Sequence, residues 1–411
     1  MKRDARSSPG ERGRKVKQEM NQIPIYLDYA ATTPVDPRVA ERMIQCLLPS
    51  GAHGNPSSGH DFGRSARALV EQARVEVARL IGAKPQAIVW TSGATESNNL
   101  AVFGAARFAS DRGRHIVSAK TEHKAVLDVL KQLEREGFQV TYLKPDHSGI
   151  VQPAQVSEAL RSDTVLVSLM HVNNETGVIQ DVGAVGALCR ERGVLLHVDA
   201  AQSAGKLPID VEAMNIDLLS ITAHKLYGPK GVGALYVRRQ PPVGLRPLIY
   251  GGGQENGIRS GTLATHQIVG MGAAFALAAS EHAADVARIA VLRDRLWEGI
   301  AAIGDVEING HLQTRVANVL NITFHGVEGE SLQFACRDIA VSAGSACSSA
   351  SEEASYVSRA LGRSDQEAQS SLRFSLGRYT TATEIERAID IVTREVRRLR
   401  ELAAGRLSAA S

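Results

Sequence analysis

The chain has 411 residues, 44% hydrophobic and 22% charged, enough to bury the cores of two or three domains. Its 47 basic and 44 acidic residues nearly balance, and the first 19 residues alone hold seven basic and three acidic ones, so the remainder is close to neutral and offers no nucleic-acid surface. No apolar run reaches the length of a membrane span.

The opening MKRDARSSPGERGRKVKQE lacks the apolar stretch of a signal peptide. Residues 1–21 read as a disordered extension, or as the product of an upstream start with Met20 the working one. From about residue 65 to 240 short apolar runs alternate with helical periodicity. AIVW (87–90), HIVSAK (115–120), QVTYL (139–143), TVLVSLMHV (164–172), VLLHVDA (194–200), DLLSITA (217–223) and GALYVRR (233–239) read as strands. TVLVSLMHV is apolar throughout, the mark of a strand buried on both faces. Strands in this alternation predict an α/β layer with a mostly parallel sheet. Beyond it, residues 273–303 read as helix, NVLNITF (318–324) as strand, GESLQFACRDI (329–339) as helix and SLRFSLG (371–377) as strand. A final helix starts at the capping-box pattern Thr381-Ala-Thr-Glu384. Ile385, Ile389, Val392, Val396 and Leu399 form its apolar stripe. This later part predicts a smaller α+β domain.

The four cysteines have no CxxC spacing and no histidine cluster beside them, so neither a disulfide framework nor an intrinsic metal site is expected. Cys46, Cys189 and Cys336 fall in apolar, helical stretches and read as small core hydrophobes. Cys347 stands apart, in SAGSACSSAS (342–351), where its neighbours are too small to build a core.

Polar clusters follow five of the strands: TSGATES, TEH, HVNNE, DAAQS and TAHK. In an open parallel sheet the ligand crevice lies outside the carboxyl ends of the strands, so these clusters converge on one site. Gly93-Ala94-Thr95 opens a helix whose free N–H groups suit a phosphate. Asp199 ends a buried strand, where a carboxylate is costly unless it meets a cation or proton donor. Lys225, beside Thr222 and His224, is placed to form an imine. Phosphate cradle, ring-nitrogen partner and imine-forming lysine are together what pyridoxal phosphate requires.

YLDYAATTPVDP (26–37), TSGATESNN (91–99), TEHKAVLD (121–128), HVNNETG (171–177), HVDAAQSAGKLPID (197–210), HKLYGPKGVGALYVRR (224–239), GGGQENGIRSGT (251–262), GSACSSAS (344–351) and SSLRFSLGRYTT (370–381) resemble the cysteine desulfurases of the IscS/NifS type. These are fold-type I pyridoxal-phosphate enzymes of the class V aminotransferase group, and the resemblance runs from about residue 24 to 400. It implies a large cofactor-binding domain over 35–280 and a small domain made of 22–34 plus 281–411. It implies that Lys225 carries the cofactor as an imine, that Thr95, Thr222 and His224 bind its phosphate with backbone from Ala94 and the adjoining Ala223, and that Asp199 pairs with the ring nitrogen. Gln202 then contacts the ring hydroxyl, and His123 stacks on the ring and moves a proton. Asn174, beside the cofactor, and Arg373 hold the substrate carboxylate. Thr262 reaches the phosphate of a partner subunit, so a homodimer is expected.

On this resemblance L-cysteine is the substrate, Cys347 attacks its sulfur and becomes a persulfide, and L-alanine leaves. A thiol that collects sulfur in a crevice and delivers it elsewhere needs a mobile segment, which SAGSACSSAS supplies. An iron–sulfur scaffold protein, toward which Cys347 can act as a transient cluster ligand, or another sulfur acceptor is the expected partner, in the cytoplasm. Two features depart from the family: Thr222-Ala223 stands where Ser-Gly is usual, and the chain stops at GRLSAAS without the acidic-aromatic tail that helps dock the scaffold. A selenocysteine lyase or another class V enzyme is the alternative activity, and a non-enzymatic scaffold is disfavoured by the intact set of reactive residues.

Overall fold

The computed structural model describes residues 24–343 and 354–410. After β1 (Ile25–Tyr26) the chain builds a seven-stranded sheet from β2 (Ile88–Thr91), β3 (His115–Ala119), β4 (Gln139–Leu143), β5 (Thr164–Met170), β6 (Leu195–Asp199), β7 (Leu218–Thr222) and β8 (Gly233–Val237). The strand order is β2-β8-β7-β6-β5-β3-β4. All neighbours pair in parallel except at β8, which runs antiparallel to both β2 and β7.

Alternation along the strands feeds two cores. On one face Val117, Val167, Leu196, Leu219 and Ile221 pack against the helices Asp61–Leu80 and Val182–Arg192. On the other, Ile116, Leu166 and Leu218 pack against Ala94–Phe108 and Lys124–Arg135. Each fully buried aliphatic side chain contributes about 1.5–3 kcal/mol, so the sheet is a rigid platform.

A further core lies under a four-stranded antiparallel sheet. Its members are β9 (Val306–Ile308), β10 (Val319–Phe324), β12 (Ser342–Ala343) and β13 (Ser371–Ser375), in the order β12-β13-β10-β9. β11 (Ile339–Ala340) pairs in parallel with β1. The terminal helix Ala382–Ala410 lays Ile385, Val392 and Val396 on this core, with Ile389 and Leu399 at its margin. The expected capping box is formed: Thr381 N–H donates to Glu384 Oε2 at 2.8 Å, and Glu384 N–H to Thr381 Oγ1 at 3.2 Å.

The 37-residue helix Thr265–Ala301 runs through both regions. Ile268, Met271 and Phe275 belong to the large-sheet core, and Ile289, Leu296 and Ile300 to the other. The sequence pattern placed its start at 273. The missing first turns hold Gly270 and Gly272, which blur the apolar period but allow close approach: a Cβ at Gly272 would lie 2.6 Å from Ala73 Cβ.

Two other expectations are corrected. The helix expected over 329–339 ends at Ala335, because the chain must straighten for Ile339 to pair with Ile25. Cys46 is not helical; it sits in the turn after the helix Pro37–Ile44, buried at 4% exposure. Among the described residues no helix is long and apolar enough to cross a membrane, and no cluster of three or more His, Cys, Asp or Glu side chains could hold a metal ion.

Candidate active site

β2, β3, β5, β6 and β7 run in one direction, so the segments that come after them share one edge of the sheet. Ser92–Glu96, His123, Asn174, Asp199 with Gln202, and Thr222 with His224 and Lys225 line a single crevice. All five polar clusters contribute to it.

One end suits an anion. Gly93, at φ 155°, turns the chain into the helix Ala94–Phe108, and the N–H groups of Ala94, Thr95 and Glu96 precede its first internal bond. Gly233 is packed so close that a Cβ on it would lie 2.7 Å from Gly93 Cα. Thr95 and Thr222 bring hydroxyls to this end, and Lys230 a positive charge. Burial, helped by the charges of Lys225, Lys230 and Lys206, pushes His224 down to about 4, so its imidazole is neutral at pH 7.

The middle of the crevice holds Asp199. It is 6% exposed, and both its oxygens are tied: Asn98 Nδ2 donates to Oδ2 at 2.7 Å and Ala201 N–H to Oδ1 at 2.9 Å. No cation lies in ion-pair contact with it among the described residues. Gln202 is fixed at both ends of its amide, Nε2 donating to Ala30 O at 2.8 Å and Oε1 accepting from Lys206 Nζ at 3.0 Å. His123 caps the helix Lys124–Arg135, its Nδ1 accepting from Ala125 N–H at 3.1 Å.

Arg373 and Asn174 are joined by backbone. Arg373, 2% exposed on β13, donates from Nη1 to Asn174 O at 2.7 Å and from Nη2 to Asp28 Oδ1 at 2.8 Å and Ser342 Oγ at 3.0 Å. Its guanidinium lies behind Asn174 rather than in the crevice wall. Two further expected site residues are not in that wall. Ala223 is fully buried with its N–H committed to Val232 O at 3.3 Å. Thr262 is exposed on a loop whose Arg259 pairs with Glu96 and whose Glu255 pairs with Arg74. Cys347 lies outside the described residues. The other cysteines are buried; burial pushes the thiols of Cys189 and Cys336 up to about 12 and raises that of Cys46.

Sequence reasoning missed Asn98, Asp28 and Thr32. Thr32 lines the crevice, and its Oγ1 lies 3.2 Å from His224 Nδ1. Asn98 stands one helical turn from Thr95, and that spacing was the one available signal.

These residues fit pyridoxal phosphate. Asn98 Oδ1, Asn174 Oδ1 and Arg373 Nε are buried polar atoms without partners among the described residues, the helix N-terminus suits a phosphate, and an amine and a carboxylate face the same space. The model for the aminotransferase class-V family matches residues 25–388. The chain belongs to that family. Class-V aminotransferases use pyridoxal phosphate, and this cofactor is the one the chain takes. The chain is 59% identical over 382 residues to the cysteine desulfurase IscS of Shewanella woodyi, covering 93% of this chain and 95% of that one. The cysteine desulfurase IscS of Pectobacterium atrosepticum is 57% identical over the same coverage. Among solved structures, a NifS-like protein superposes with a TM-score of 0.84 at 36% identity, covering 90% of this chain and 98% of that one. SspA in complex with cysteine superposes at 0.77 with 40% identity, covering 87% and 100%.

Proposed function

We propose that this class-V enzyme is a cysteine desulfurase that takes sulfur from L-cysteine, leaves L-alanine, and passes the sulfur through Cys347 to acceptors that assemble iron–sulfur clusters. The observation that carries the reading is the convergence of Lys225, Asp199, His123 and the turn at 93–95 on one crevice. The IscS relatives at 57–59% identity support the choice of substrate.

When bound, the cofactor supplies an electron sink for the pair left on the substrate Cα. Lys225 is the amine that would hold it covalently and serve as base and acid at the substrate Cα. Asp199, kept in place by Asn98 and the Ala201 N–H, would pair with the ring nitrogen. Ala94, Thr95, Thr222 and His224 hold the phosphate, and Ala223 sets the spacing between the last two. Gln202 would meet the ring hydroxyl, and His123 would cover the ring and move a proton. Asn174 and Arg373 are the pair that would take the substrate carboxylate, Asn174 from the crevice wall and Arg373 through the Nε left open behind it. The Cys347 thiolate attacks the substrate sulfur, the Cβ–S bond breaks, and the persulfide forms as the carbon fragment collects protons.

Thr262, exposed on its clamped loop, serves a second copy in a homodimer. Residues 35–280 form the cofactor domain, and 22–34 with 281–411 the small domain; the separate cores support this division. A persulfide relay needs a reducing compartment, and Cys46, Cys189 and Cys336 are all unbridged, which favours the cytoplasm. The test is incubation of the yellow holoprotein with L-cysteine and a reductant. Sulfide and alanine appear in equal amounts if the reading holds; pyruvate or no alanine overturns it.

A further inference from the structure

Behind Lys225 the fold places a second lysine. Lys206 lines a cavity that Lys225 also lines, on the side away from the phosphate end. Its Nζ donates to Gln202 Oε1 at 3.0 Å, while Gln202 Nε2 donates to Ala30 O at 2.8 Å. A carbonyl oxygen only accepts and an ammonium only donates, so these contacts allow one orientation of the amide. Gln202 is 3% exposed, so water cannot take over from a lost partner without cost. One Nε2 hydrogen goes to Ala30; the other is uncommitted, on a side chain that lines the crevice.

Among the described residues no carboxylate forms an ion pair with Lys206. Its charged neighbours are the cations Lys225 and Arg373. The nearby carboxylates are engaged elsewhere: Asp28 with Arg373, Asp199 with Asn98, Glu96 with Arg259, and Asp285 with Arg378. On the crevice side the remaining titratable groups are His123, His224 and Lys230. In the cavity they are Tyr29, Tyr227 and His282. None of these supplies a resident negative charge at neutral pH. Burial and the two cations bring Lys206 down to about 7.

We propose that Lys206 is a positioning residue for the reaction: its ammonium holds the Gln202 amide with an N–H offered to the ring oxygen of the cofactor, and its charge favours an unprotonated nitrogen at Lys225. This rests on the roles of Lys225 and Gln202 given above. A like charge beside Lys225 disfavours a proton there, as adjacent cations activate lysine nucleophiles in general.

The test uses the cofactor-loaded full chain without substrate, reading the visible band against pH and the rate of cofactor release on dilution. In Lys206→Met the pH midpoint of the band rises by about one unit and release quickens about tenfold. Lys206→Arg restores both to near wild type. Gln202→Leu combined with Lys206→Met releases cofactor no faster than Gln202→Leu alone, yet still shows the raised midpoint. Wild-type midpoint and wild-type release in Lys206→Met overturn the inference. If Lys206→Met does not fold, Lys206→Gln keeps a donor without the charge, and an unmoved midpoint there overturns it equally. Lys225→Ala separates the two claims: a retained covalent band in that variant overturns the site reading itself, whereas its loss beside an unaltered Lys206→Met overturns only this inference.

Discussion

Replacing Asn98 by alanine tests the tether on Asp199. Asn98 and Asp199 are 1% and 6% exposed, and the bond between them is 2.7 Å long. A hydrogen bond to a charged acceptor contributes about 1.5–3 kcal/mol. The Ala201 N–H at 2.9 Å still holds the other oxygen, and water in the open crevice replaces part of the loss, so the lower end applies. About 1.5 kcal/mol corresponds to slightly more than tenfold faster cofactor release, since about 1.4 kcal/mol is a factor of ten. Asn98→Asp is the sharper variant. It puts a second carboxylate at hydrogen-bond distance from Asp199, where both cannot stay ionised. The pair then shares a proton and the ring nitrogen loses its partner, so release should quicken about a hundredfold or more, less so at high pH. Absorbance after rapid dilution follows release, and thermal melting of the apoprotein checks folding. Release within twofold of wild type in Asn98→Ala, or equal behaviour of Ala and Asp variants, refutes the tether.

Glu122 is fully buried, Met170 N–H donates to its Oε1 at 2.8 Å, and Oε2 has no partner. Burial raises its carboxyl well above the ordinary range, so the stability it lends is full below the unfolded value near 4.3 and is lost as pH rises toward the native one. Glu122→Gln should therefore match wild type at about pH 4 and exceed it increasingly toward pH 9 in urea unfolding. Asp36 shows the opposite sign: hydrogen bonds from Arg38, with Arg378 behind them, hold its carboxyl below the usual range. Its contribution is present above about 4 and is lost as pH falls, so Asp36→Asn should cost about 3 kcal/mol at pH 7 and progressively less below pH 4. Cys347→Ser should keep the yellow colour and end turnover, because a serine hydroxyl cannot accept sulfur as a persulfide. Alanine at Cys46, Cys189 or Cys336 should leave turnover within a few-fold, and mass spectrometry after brief exposure to L-cysteine should find the added sulfur on the peptide containing Cys347.

The strands and the five polar clusters were legible because buried parallel strands read as unbroken apolar runs, and polar residues just past a run must lie at the end of its strand. Thr95, Asp199 and Lys225 were each visible as a polar residue in such a place. Asn98 and Asp199 are 101 positions apart, and Arg373 and Asp28 345 apart; no local period encodes such pairs. Lys206 in GKLPID has the look of a solvated turn residue, and its missing counter-ion exists only in three dimensions. The start of the helix Thr265–Ala301 escaped because small residues that let helices touch carry little hydrophobic signal.

That helix has a consequence for how the molecule comes apart. Its 37 residues, at about 1.5 Å each, make a rod of roughly 55 Å without an internal proline. One half is supported by the large-sheet core and the other by the smaller core. Should either core melt, the half it had supported is left as an isolated helix of under 20 residues, which is marginal in water. The fraying then reaches into the other core, because the two halves share one ladder of backbone bonds. Loss of order at one end is thus transmitted to the other, and the two regions behave as a single cooperative unit, with local openings confined to the segments that the rod does not thread.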